Sequence, residues 1–159
     1  MKLVTRYATL LATLAIRSTA KKRSNAIPTI ARLHMPASAY DLHGTRVFEC
    51  AAEGAELRTA RDVTDLLSET WQHSATLVVI PVSRLGDDFF RLRTGIAGEV
   101  LQKFVQYRMR VAILGDVLEY VEASTAFRDF VVESNRGNHI WFVSSREHLD
   151  ERLRSSSLI

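Results

Sequence analysis

Cysteine occurs once, at Cys50, so no internal disulfide can form and nothing points to an oxidising compartment. The location expected by default is the cytoplasm. Phosphate loops and dinucleotide fingerprints are missing. The five histidines, His34, His43, His73, His139 and His148, lack metal-ligand spacing, and no Ser/His/Asp or Cys/His set assembles from the chain. No metal, no cofactor and no catalytic residue is assigned on these grounds, and a non-enzymatic role is the favoured expectation. Apolar runs long enough for a bilayer are also lacking. The stretch 7–16 is dotted with Thr9 and Thr13, meets Arg17 at once, and falls far short of the ~20 residues a span needs.

Acidic residues are absent from the first 40 positions, which hold seven of the 21 Lys and Arg. The remaining 14 face all 18 acids, so residues 41–159 carry a net −4 although the whole chain is +3. The basic pI therefore reflects one segment and is no footprint for nucleic acid. Residues 1–40 are expected to lie outside the fold, disordered or removed. Three readings of them stand side by side: a cleaved leader ending near Ser18-Thr19-Ala20, a membrane-surface helix aligning Leu3, Tyr7, Leu10, Leu11 and Leu14, and a true start at Met35.

What is present suffices for one cooperative domain: 159 residues, 47% hydrophobic and 25% charged, are too few for two. A single α/β domain is expected over 41–155. Residues 46–50 alternate like a strand, and 55–58 after Gly54 are read as its hairpin partner. Thr59 with Asp62 three residues on opens a helix through Val63, Leu66, Leu67 and Trp71. The apolar run 75–82 reads as a strand buried on both faces. A loop or short helix follows over 83–93, then a helix carrying Ile96, Val100, Leu101, Phe104 and Tyr107. Residues 110–114 form a second buried strand closed by Gly115-Asp116. A helix with Phe127, Phe130, Val131 and Ser134 stops at Gly137, where Asn135 or Gly137 is expected in a left-handed C-cap. Residues 139–143 make the last strand, and Ser144 with Glu147 forms a capping box for the closing helix through Leu149 and Leu153. The order ββαβαβαβα implies an N-terminal hairpin followed by βα repeats, a mixed and mostly parallel sheet with covering helices.

This order, with a threonine-glycine pair opening the helix after the first buried strand, resembles the STAS fold of sulfate transporters and anti-sigma factor antagonists. Those domains carry Asp-Ser-Ser-Gly there, the serine before the glycine being the antagonists' phosphorylation site. Here the residues are Leu92-Arg93-Thr94-Gly95, so the resemblance implies Thr94 as phospho-acceptor, with Arg93 and Leu92 departing from the pattern. Through DDFFRLRTGIAGEVLQKF, AILGD and FVVESNRGNHIWF, residues 44–153 are more specifically similar to a bacterial family of unknown function (domain of unknown function 4180), which implies no activity.

Five residues are singled out as a ligand, anion-binding or regulatory site: Arg91, Arg93, Thr94, Gly95 and Asp116. A helix start exposes unpaired N–H groups that favour phosphate or carboxylate, and the arginines add charge. The structural alternative has Thr94 as a plain N-cap, the arginines paired with Asp87, Asp88 or Glu99, and Asp116 as a turn residue. Glu99 and Lys103 are spaced for a surface ion pair. Cys50 reads as a small core residue, Trp71 and Trp141 as packing residues, and adjacent Phe89 and Phe90 are not expected to face the core together. The resulting functional expectation is a regulatory or protein-interaction domain switched at Thr94-Gly95, with a protein partner. The alternative is a small-molecule anion binder or weak enzyme using the same turn.

Overall fold

The computed structural model describes residues 36–156, so the three readings of the chain's first 35 residues lie outside the described residues. Among the described residues five strands and six α-helices follow one another: β1 (Ser38–Leu42), β2 (Thr45–Glu49), α1 (Ala60–Gln72), β3 (Leu77–Pro81), α2 (Asp87–Phe90), α3 (Ile96–Gln106), β4 (Arg110–Leu114), α4 (Leu118–Ala123), α5 (Thr125–Arg136), β5 (Ile140–Val143) and α6 (Arg146–Ser156). The fold is α/β with a mixed sheet, in the order β1-β2-β3-β4-β5, antiparallel for the first pair and parallel thereafter.

The N-terminal hairpin is present, but its partner strand is upstream of the one expected. β1 pairs with β2 through the two-residue turn His43-Gly44, both with positive φ (49° and 76°), the twist that suits a tight hairpin. Residues 55–58 form no strand. Arg84 holds their loop instead, donating to the carbonyls of Ala55 (2.8 Å) and Ala51 (3.1 Å), while Leu57 N–H donates to Arg84 O. The expected domain boundary at 41 consequently falls inside β1.

Strand alternation divides the core in two. Phe48, Val78, Ile80, Val111, Ile113, Ile140 and Phe142 face α1, α3 and α5, whereas Val47, Leu77, Val79, Ala112, Trp141 and Val143 face Leu149 and Leu153 of α6. Sequential strand order with crossovers of one hand forces all three crossover helices onto one face. Among the described residues the second face is covered by α6. The same order contains no reversal among the parallel strands, and so no switch-point crevice of the doubly wound kind.

Several helix ends match the sequence reading and some do not. Thr59 and Asp62 form the reciprocal capping box of α1. At α6 the cap sits one residue later than expected: Ser145, not Ser144, accepts from His148 N–H (3.2 Å). Gly137 ends α5 at φ −85°, an ordinary extended conformation rather than a left-handed cap. Asn135 has a different task there. Its amide donates to Phe142 O (3.2 Å) and accepts from Phe142 N–H (2.8 Å), satisfying one residue of the β5 backbone as a neighbouring strand would. Helix α4, capped at its end by Ser124, was not anticipated.

Candidate functional site

The five singled-out residues all lie beyond the carboxyl ends of parallel strands. Arg91, Arg93, Thr94 and Gly95 follow β3, and Asp116 follows β4. Between β3 and α3 the chain makes a 3-10 turn, the short helix α2, and a second 3-10 turn at Leu92–Thr94. Leu92 is buried while Arg91, Arg93, Thr94 and Gly95 are exposed. Thr94 is not a standard N-cap. Its hydroxyl lies 2.6 Å from Asp88 O and 2.8 Å from Arg91 O, to which its single hydrogen donates, and it accepts only a long bond from Ile96 N–H (3.4 Å). The residue that opens α3 is Gly95, left-handed at φ 77°, where a side chain would be strained. Arg91 pairs with Asp88 (3.5 Å), and Arg93 has no hydrogen-bond or ion-pair partner among the described residues.

Asp116 is exposed and accepts from Leu118 N–H (2.8 Å), the turn that starts α4. Glu99 does not reach towards it. Its carboxylate accepts from Ala60 N–H (2.9 Å), tying α3 to the start of α1, while Lys103 sits over the Tyr107 ring. The two carboxyl-edge loops are joined by other groups. Phe89 and Phe90 are both buried, at 1% and 3% exposure, contrary to expectation. A four-residue helix laid on the sheet's edge can send one ring into the α3 side and the next towards α4. Phe90 stacks on Tyr120 with centroids 4.1 Å apart, and Tyr120 donates its hydroxyl to Asp87 (2.8 Å). Burial and that bond push the Tyr120 phenol up to about 12.

A second polar group was missed in the sequence. On the face covered by α6, Glu49 is 7% exposed, accepts from Tyr40 hydroxyl (2.9 Å), and is gripped by Arg146 through Nε (3.1 Å) and Nη2. The signal for it was a carboxylate in the apolar strand 47–50; its partner lies 97 residues on and could not be read. This cluster stands in a groove of about 820 Å³ between β1 and α6, with Leu42, Leu114 and Leu149 along it. Burial and the neighbouring Glu49 hold the Tyr40 phenol well above its usual range, so it keeps its proton and serves as a hydrogen-bond donor to Glu49 rather than as an acid.

Cys50 is buried, and burial, only partly offset by Arg84, pushes its thiol up to about 12. The neutral thiol is thus the form the fold favours. Stability from this group is complete below the ordinary thiol value of about 8.5 and is lost as pH rises towards 12. Urea midpoints are expected to fall between about pH 8 and pH 10.5, less steeply in Cys50→Ala, and a thiol reagent should label the native chain only after unfolding. Rapid native labelling at pH 8 would contradict this placement. Among the described residues no cluster of His, Cys, Asp and Glu has metal-holding geometry, and no helix is long and apolar enough to cross a membrane.

Residues 42–153 match the family described as a domain of unknown function (DUF4180). No curated protein and no solved structure matches the chain.

Proposed function

Because the chain belongs to this DUF4180 family, whose function is unknown, we propose its role from its surfaces: a regulatory protein-interaction domain whose contact edge is built from the loops after β3 and β4, with Thr94 as the switch. One observation supports this reading most. The exposed Thr94 hydroxyl latches the carbonyls of Asp88 and Arg91, and the segment it latches carries Phe89 and Phe90 into the core. A phosphate there would add about two negative charges, surrender the hydroxyl's hydrogen, and set charge against two carbonyl oxygens. The turn would have to reopen, with Arg91 and Arg93 at hand to hold the phosphate. A modification at one exposed atom is thereby coupled to the surface a protein partner would touch.

The same edge supports a second reading, an anion-binding protein or weak enzyme for a phosphate-type or carboxylate ligand, through Arg91, Arg93, Thr94, Gly95 and Asp116. Arg93, without a hydrogen-bond or ion-pair partner among the described residues, favours it, and the negative charge of Asp116 on that edge weighs against it.

Thr94→Ala is expected to cost about 1 kcal/mol, the loss of one net hydrogen bond. Thr94→Glu should raise amide exchange over residues 87–95 by tenfold or more relative to Thr94→Ala, leaving α5 protected. If the two variants exchange alike, the switch reading fails. Stabilisation of the full chain by inorganic phosphate that disappears in Arg93→Ala would instead support the anion reading.

A further inference from the structure

The groove beside β1 lies on the opposite face of the sheet from the crossover helices and is independent of the Thr94 reading. We infer that β1 and this groove take up an extended segment of a partner protein, added as a sixth strand, with a basic side chain between two apolar ones on the groove side.

The backbone argument starts from the hairpin. Among the described residues β1 is the edge strand of the sheet and pairs only with β2. With a two-residue turn at His43-Gly44, the hydrogen-bonded pairs fall at Leu42–Thr45, Tyr40–Val47 and Ser38–Glu49, so Ala39 and Asp41 turn their amides and carbonyls outwards. No backbone bond engages those groups among the described residues. An edge of this kind is a template for strand addition.

Side chains decide what kind of strand fits. Ser38, Tyr40 and Leu42 occupy alternate positions of β1 and all line the groove, so an added strand's alternate side chains would continue the same face. Leu42, Leu114 and Leu149 provide apolar walls. The charges are unequal. Glu49 is matched by Arg146, and Asp150 by Arg154 and His43, but Glu147 and Glu151, four residues apart on α6 and both lining the groove, form no ion pair among the described residues. Two carboxylates one helical turn apart suit a single lysine or arginine from the incoming strand.

The test uses the full chain and two capped hexapeptides, Thr-Leu-Thr-Lys-Thr-Leu and the same peptide with glutamate in place of lysine. The lysine peptide is expected to bind saturably and at least tenfold more tightly than the glutamate peptide. In Glu147→Lys/Glu151→Lys, a change confined to the exposed face of α6, the preference should reverse. Hydrogen exchange should show the amides of Ala39 and Asp41 becoming protected on binding. The inference is overturned if neither peptide saturates by about 1 mM, or if the charge swap leaves their ratio unchanged. It is equally overturned if those two amides are already protected in the free chain, whether by its own residues or by a second copy.

Discussion

Phe90→Ala is expected to remove about 3–5 kcal/mol of folding free energy, against a total of about 5–15 kcal/mol for a domain of ordinary stability. The ring is 3% exposed, stacks on Tyr120 at 4.1 Å, and meets Phe89 and Phe127 edge-on at 5.2 and 5.7 Å. Phe127 in turn touches Phe130 and Phe142, so the cavity would open at one end of a chain of rings running from α2 to β5. Tyr120 would lose the surface that aligns its hydroxyl with Asp87. Urea denaturation of the wild type, Phe90→Ala and Phe90→Leu measures the effect, the leucine variant retaining part of the loss. A cost below about 1 kcal/mol would mean that Phe90 is not seated between α2 and α4. The carboxyl-edge surface proposed above would then have lost its support, because that packing is what joins the loop after β3 to the loop after β4.

Arg146→Ala should be the next most costly change, at about 2–3 kcal/mol. The cost arises less from the bond lost than from the charge left behind. Glu49 is 7% exposed, and without the guanidinium its carboxylate keeps, among the described residues, only the Tyr40 hydroxyl as partner. The arginine side chain is itself 56% exposed, which places the figure at or just below the lower bound of about 3 kcal/mol for broken buried pairs. A neutral amide removes the stranded charge, so Glu49→Gln in the Arg146→Ala background is expected to restore part of the stability. A double-mutant cycle with a coupling of about 1 kcal/mol or more confirms the pair. Additive losses from the two single variants would show that solvent reaches Glu49 and that the ion pair is only a surface contact.

Local patterns were read well from the chain. The buried strands at 77–81 and 110–114, the capping box of Thr59 and Asp62, and the helices through Phe104 and Phe130 each depend on residues a few positions apart. Such local rules fail where tertiary contacts intervene. Ser144 and Ser145 are equivalent as sequence, and only the direction of the chain leaving β5 selects the second as a cap. Gly137 looked like a left-handed stop because glycine commonly is one, but Asn135 had already secured the end of α5 against β5. Adjacent bulky side chains such as Phe89 and Phe90 are not expected to face the core together, yet both are buried because α2 is a single turn at the sheet's edge.

Composition and hydrophobic period by themselves determined an α/β fold with an N-terminal hairpin and a mostly parallel sheet, since both are properties of neighbouring residues. The tertiary structure alone decided which strand completes that hairpin, where Phe90 is seated, and that Arg146 neutralises a carboxylate 97 residues before it. Those outcomes depend on which surfaces meet once the sheet has closed, and a pairing across such a distance leaves no periodic trace in the order of the amino acids.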